Sequence, residues 1–222
     1  MCRRFAQVQT REEYLAYLAD EADRDFAYDP EPIGRYSVVP GAKVVLLSER
    51  DEQLHLDPVL LSYTPGWWDK PPLINACVET ATTSQLLKSL WQHGLAICFA
   101  DGWFEWKKEG VKEQPYFIHR ASVQPIFMVA NGSTPFERGD EGEGFLIVTS
   151  AADKGLIDIH DRRPLVLSSE AAREWMRQEL GIGTCLENKT YECFSVVTKK
   201  HGLNQCLPFP PNGLFGSQMN GF

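Results

Sequence analysis

Between residues 97 and 149 the chain carries five short apolar runs with turn residues between them: Ile97-Cys98-Phe99-Ala100, Gly102-Trp103-Phe104-Glu105-Trp106, Tyr116-Phe117-Ile118-His119, Ile126-Phe127-Met128-Val129-Ala130 and Phe145-Leu146-Ile147-Val148-Thr149. Aromatic and β-branched residues in runs of this length suit a pleated, half-buried surface. Parallel strands need long crossovers, usually helical, and the regular strand-helix alternation that would supply them is missing here. The expected class is therefore α+β. We expect a single domain over residues 1–222, with curved, mostly antiparallel β-sheets in a barrel-like core and helices at its flanks.

Helix signals lie on either side of the strand-rich region. Thr10 and Glu13 form a capping box, and Tyr14, Leu15 and Leu18 follow at helical spacing, which predicts a helix from residue 11 to about 20. Leu86, Leu87, Leu90 and Trp91 predict a second helix over 84–92, with Gly94 as its stop. Ser169 opens a third, ending at Gly181. Prolines and acidic residues predict a loop from Asp20 to Pro40, with strands at Val44–Leu47 and His55–Tyr63 and a turn at Arg50-Asp51-Glu52. Thr64 to Pro72 reads as a loop carrying the adjacent Trp67 and Trp68. The segment 182–222 is a less patterned tail.

Composition excludes several classes. The chain has 222 residues, 43% of them hydrophobic and 23% charged, enough to build one core and unlike a disordered chain. Its longest apolar stretches are far too short to cross a bilayer, and the charged residues after Met1 leave no secretory signal, so a cytoplasmic, membrane-free monomer is expected. Six cysteines, at positions 2, 77, 98, 185, 193 and 206, show neither a CxxC pair nor metal-ligand spacing; they are expected to be free thiols, with no metal and no cofactor. A formal net charge of −8 argues against a general nucleic-acid coat protein but leaves room for a local basic groove.

The candidate chemistry centres on Cys2. Once Met1 is removed, Cys2 presents an α-amine and a thiol on neighbouring carbons, a pairing that no internal cysteine offers. The amine has a reference pKa of about 8, so a useful fraction is neutral near pH 7. It can attack an aldehyde to give a Schiff base, and the thiol can close the ring as a thiazolidine. By position alone, an ordinary second residue is the favoured reading of Cys2. Three segments strengthen the chemical reading, each placing polar groups in apolar surroundings: Asn75-Ala-Cys77-Val-Glu79-Thr, Asp101-Gly-Trp-Phe-Glu105-Trp and Ile159-His160-Asp-Arg162-Arg163-Pro164. Glu105, between Phe104 and Trp106, is either a carboxyl tuned for proton transfer or half of a buried ion pair. His160 is a candidate proton shuttle.

The order Met-Cys-x-Arg-Phe, Asn-Ala-x-x-Glu-Thr, Gly-Trp-Phe-Glu-Trp and Ile-His-Asp-Arg-x-Pro resembles the SOS-response-associated peptidase family over residues 1 to about 180. The resemblance implies a covalent crosslink between Cys2 and abasic sites in single-stranded DNA, including sites at single-strand/double-strand junctions. It assigns Asn75 to positioning the N-terminus, Glu105 to proton transfer and His160 to opening the sugar. It also implies self-removal of Met1 and an accessory lyase activity. Arg4 and Arg162 would hold phosphates in a local groove, and Trp67 and Trp68 would offer faces to bases.

Six positions depart from the family pattern. Arg3 replaces a glycine, Ser37 an asparagine, Leu61-Ser62 a Trp-Gly pair, Cys77 an arginine and Arg163 an apolar residue. The arginine missing at position 77 should weaken DNA binding or slow the reaction. Two other readings stand beside this one: a cysteine peptidase using Cys2 and His160, and a non-covalent single-stranded DNA-binding protein.

Overall fold

Helix α1 (Arg11–Ala16) shows how local sequence sets the scaffold. Thr10 caps it, accepting the Glu13 N–H at 3.1 Å while its own N–H donates to Glu13 Oε2 at 2.8 Å. Thr10→Ala should destabilise the fold by about 1 kcal/mol, read as a lower urea midpoint at unchanged slope. The computed structural model describes residues 2–18, 33–50, 53–81, 83–84, 87, 90–91, 94–122, 124–133, 143–152, 155–181, 184 and 194–198.

In chain order the strands are β1 (Phe5–Gln7), β2 (Arg35–Val38), β3 (Lys43–Arg50), β4 (Gln53–Leu60), β5 (Asn75–Cys77), β6 (Leu95–Ala100), β7 (Gly102–Glu109), β8 (Lys112–Arg120), β9 (Ile126–Ser133), β10 (Gly144–Ala151), β11 (Arg162–Pro164), β12 (Val166–Leu167) and β13 (Phe194–Thr198). Helix α2 (Val78–Ala81) follows β5, and α3 (Ser169–Met176) follows β12. The first sheet has the order β13-β8-β7-β1-β2. The second runs β11-β10-β9-β6-β3-β4, with β12 also on β9 and β5 on β10. Pairing is antiparallel apart from β5 on β10, which is parallel. Neither sheet closes on itself, so the expected barrel-like core is instead a stack of two open sheets.

Alternation along the strands divides the core. Cys98, Ala100, Met128, Ala130 and Ile147 of the second sheet meet Phe5, Trp103 and Ile118 of the first. Their neighbours Ile97, Phe99, Phe127, Val129 and Val148 face the other way, against Tyr14 and Leu15 of α1 and Ala172, Trp175 and Met176 of α3. The second sheet is thus covered on both faces. The outer face of the first carries Ala6, Phe104 and Phe117, with Val8 and Trp106 packed against them.

The short strand β1 ties the sheets together. It pairs with β2 and β7 in the first sheet. Gln7, fully buried, donates to Val45 O at 3.0 Å and Phe99 O at 3.1 Å and accepts from Val45 N, all in the second sheet. Just beyond it, the Asp101 carboxylate accepts from Val8 N at 2.7 Å, Gln9 Nε2 at 2.6 Å and Tyr14 Oη at 2.6 Å. Burial pushes the Asp101 carboxyl up, and these three hydrogen bonds oppose the shift.

Several expectations change. Among the described residues α1 ends at Ala16 with Tyr17 as its C-cap, and residues 19 and 20 lie outside the description. Most of the segment 84–92 also lies outside it. The cap of α3 is Ser168, not Ser169, because Ser168 Oγ accepts the Ala171 N–H at 3.2 Å. Strands β2, β5, β11, β12 and β13 were not anticipated. No helix of the described residues is long and apolar enough to cross a membrane.

Candidate active site

Residues 2–4 extend from the free end of β1 into the stack. The Arg4 carbonyl accepts the Phe104 N–H at 2.8 Å, and the Cys2 carbonyl accepts Asn75 Nδ2 at 3.1 Å. Asn75 is held on β5, whose parallel pairing sets it opposite Ile147, and its amide also donates to Ile147 O at 3.4 Å. Cys2 is 1% exposed, within the core between the sheets. Burial pushes its thiol well above the usual range, with the Glu105 charge adding to the effect. The thiol is therefore neutral at pH 7.

Glu105 shares its side of β7 with Trp103, facing inward, while Phe104 and Trp106 face outward. It is 3% exposed. Burial pushes its carboxyl up to about 7, against the pull of the chain's terminal ammonium; Asp161 raises it further and Arg3 lowers it. Such a carboxyl exchanges its proton near neutrality.

His160 closes a turn in which His160 N and Ile159 N donate to Leu156 O. Its Nδ1 accepts the Arg162 N–H at 2.9 Å and also lies 2.9 Å from Asp161 Oδ1. A ring nitrogen that accepts has no proton to donate to a carboxylate, so only one of these contacts is a hydrogen bond in a given protonation state. The bond from Arg162 decides, because burial lowers the His160 pKa and the Asp161 side chain is 82% exposed. The imidazole is then neutral, with its proton on Nε2.

Arg162 is already engaged. Its fork donates to Glu79 Oε1 at 2.9 Å and Oε2 at 2.8 Å, and Nη2 also donates to Thr149 O at 2.7 Å. Thr149 Oγ1 in turn donates to Ala76 O at 3.2 Å. Strand β10 therefore joins β5 to β11 through one side chain. The hydrogen bond from Arg162 lowers the Glu79 carboxyl to about 2. A depressed carboxylate stabilises the fold above its unfolded pKa of about 4.5 and loses that contribution as pH falls towards 2. The melting temperature of Glu79→Gln should accordingly lie below wild type at pH 7 and converge with it through that window. Because Glu79 is partly exposed, the difference should be only a few degrees.

Cys77 lies two residues beyond Asn75 on β5 and is half-buried. Its register partner on β10 is Thr149, whose carbonyl accepts Arg162 Nη2. Cys2, Asn75, Glu105, His160, Arg162 and Cys77 are thus linked by contacts or by charge. Arg4 turns elsewhere: its guanidinium lies 5.3 Å from the Trp106 ring centre. Trp67 and Trp68 occupy the 64–72 loop, whose base is the Tyr63–Leu73 bridge. Their rings meet edge to face at 5.8 Å, Trp67 is 69% exposed, and Trp68 Nε1 donates to Pro71 O at 3.0 Å. Sequence reading missed Gln7 and Thr149, which support the site from within the core. Nothing in the local pattern marks either one.

Two open sheets stacked on an inward-facing cysteine at position 2, with a carboxyl titrating near neutrality beside it, define an α+β protein whose reactive groups gather at its first strand. The chain belongs to the SOS response associated peptidase (SRAP) family, whose pattern matches residues 1–198. It is 78% identical over 180 residues, 81% of each chain, to the abasic site processing protein YedK of Escherichia coli K12. It is 26% identical to the abasic site processing protein HMCES of Xenopus tropicalis, over 64% of this chain and 54% of that one. A crystal structure of a phage-related protein from Bordetella bronchiseptica matches with a TM-score of 0.71 at 31% identity, covering 89% of this chain and 93% of the other.

Proposed function

We propose that the chain senses and shields abasic sites in single-stranded DNA by forming a covalent thiazolidine at Cys2. The reading rests chiefly on one observation: Asn75 fixes the Cys2 carbonyl at 3.1 Å in the same site as Glu105, a carboxyl that titrates at about 7. Family membership and the names of its relatives supply the substrate class.

Hydrolysis of the Met1–Cys2 peptide bond, carried out by the protein on itself, frees the Cys2 α-amine. His160 and Glu105 move the protons that open the cyclic hemiacetal of the abasic sugar to its aldehyde. The amine adds to the aldehyde carbon, and loss of one water gives the Schiff base. The thiol adds to the imine carbon, its proton passes to nitrogen, and the ring closes. A Schiff base that instead gives up a proton from C2′ and expels the 3′ phosphate forms a C2′–C3′ double bond and cuts the strand, an accessory lyase activity. Trp67 and Trp68 serve as faces for bases at a strand junction. The protein works as a monomer in the cytoplasm and joins the nucleoid on damaged DNA.

A thiol peptidase reading fits less well, because a free α-amine beside the thiol would add nothing to attack on a peptide bond. The two readings separate on a denaturing gel with single-stranded DNA containing one abasic site. Protein whose loss of Met1 is verified by mass should give a shifted, heat-stable band, and the same protein with its α-amine acetylated should give none. A band of undiminished strength from the acetylated protein would overturn the proposal.

A further inference from the structure

We propose that Arg3 is a phosphate-binding residue of this site, gripping the nucleic-acid backbone next to the residue that Cys2 captures. The inference rests on the function proposed above and adds a recognition element at a position where the family pattern has glycine.

The assignment follows from what the nearby cations are already doing. The Arg162 fork is filled by Glu79 and Thr149. The Arg4 guanidinium lies over Trp106, whose ring packs on the outer face of the first sheet. Arg163 is 3% exposed, with its guanidinium near the Phe194 ring. Arg3 alone of these four is exposed, and among the described residues no hydrogen bond or ion pair engages its guanidinium.

Its place along the chain gives this freedom a direction. The backbone of residue 3 is anchored on both sides, by Asn75 at the Cys2 carbonyl and by Phe104 at the Arg4 carbonyl. Consecutive Cα atoms lie about 3.8 Å apart, so a side chain as long as arginine's covers the space next to Cys2. Its charge reaches Glu105 as well. Arg162 offsets the Glu79 carboxylate, whereas the carboxyl groups of Glu105 and Asp161 would repel a polyanion when ionised. A nucleotide held at Cys2 carries phosphates on both sides, and a free guanidinium fork matches a phosphate with two parallel hydrogen bonds.

The test is the salt dependence of non-covalent binding. The probe is a single-stranded oligonucleotide with one tetrahydrofuran abasic analogue, which has no aldehyde and cannot crosslink. Each phosphate neutralised on single-stranded DNA adds about 0.7 to the slope of log affinity against log salt. Arg3→Ala should lower that slope by about 0.7, so raising salt from about 50 to about 200 mM should cost it roughly threefold less affinity than it costs wild type. Arg3→Lys should keep the slope, and Lys112→Ala, in the β7–β8 hairpin, should match wild type. An unchanged slope in Arg3→Ala, in a protein whose wild type crosslinks true abasic DNA, would overturn this inference alone. A wild type that neither binds the analogue nor crosslinks would overturn it together with the proposed function.

Discussion

Cys2→Ala should abolish the heat-stable DNA adduct while leaving the protein able to form a transient one. The substitution keeps an α-amine at position 2, so once Met1 is removed a Schiff base with the aldehyde can still form. It removes the sulfur that closes the ring, and an open imine hydrolyses in water. On a denaturing gel the variant should therefore give no band after heating. A band should appear only when borohydride reduces the imine as it forms. The loss should be complete, because no other group of the site can supply a thiol on the carbon next to that amine. Taking one sulfur from a buried position costs about 1–2 kcal/mol, so thermal unfolding should show a folded variant. A heat-stable band equal to wild type without borohydride would sink the thiazolidine.

Glu105→Gln should slow crosslinking by about 100-fold or more, in line with the loss of a positioned acid-base group. The wild-type rate should change with an inflection near pH 7, where the carboxyl titrates, and the glutamine variant should lack that inflection. Stability should move the opposite way. A carboxyl whose folded pKa is raised from 4.5 to about 7 binds its proton more tightly in the folded state than in the unfolded one. Its stabilising contribution is present below about 4.5 and is lost as pH rises through 7. Above pH 7 the wild type therefore buries a charge that glutamine does not, and Glu105→Gln should melt several degrees higher there. A variant that keeps both the rate and the pH profile would show that Glu105 is only a structural buried group.

What could be read beforehand depended on whether a residue's role was local. The alternation in β7, the apolar runs of β6, β9 and β10, and the Thr10–Glu13 box are all short-range patterns, and each marked its element. Strands β5, β11 and β12 are two or three residues long. They exist because β10 and β9 offer edges to them, which no window of sequence contains. Closure fails for a similar reason: which strand ends a sheet is settled by pairing partners far apart in the chain. Asn75, Glu105 and His160 stood out as polar groups among apolar neighbours, whereas the hold of Glu79 on Arg162 spans 83 residues and was invisible. Gln7 was equally hidden, since its bonds reach 38 and 92 residues ahead.

Those separations also govern the order of assembly. Strand β1 finds its partners at Arg35–Val38, Val45, Phe99 and Gly102–Trp103, and Cys2 is fixed by Asn75, so nothing near residues 2–7 can settle until more than a hundred residues have been made. During synthesis the chain's earliest segment is thus among the last to find its place. If the protein removes Met1 itself, as proposed, that segment must dock before the amine is freed, so a half-folded molecule still carries a masked amine and cannot spend it on small aldehydes.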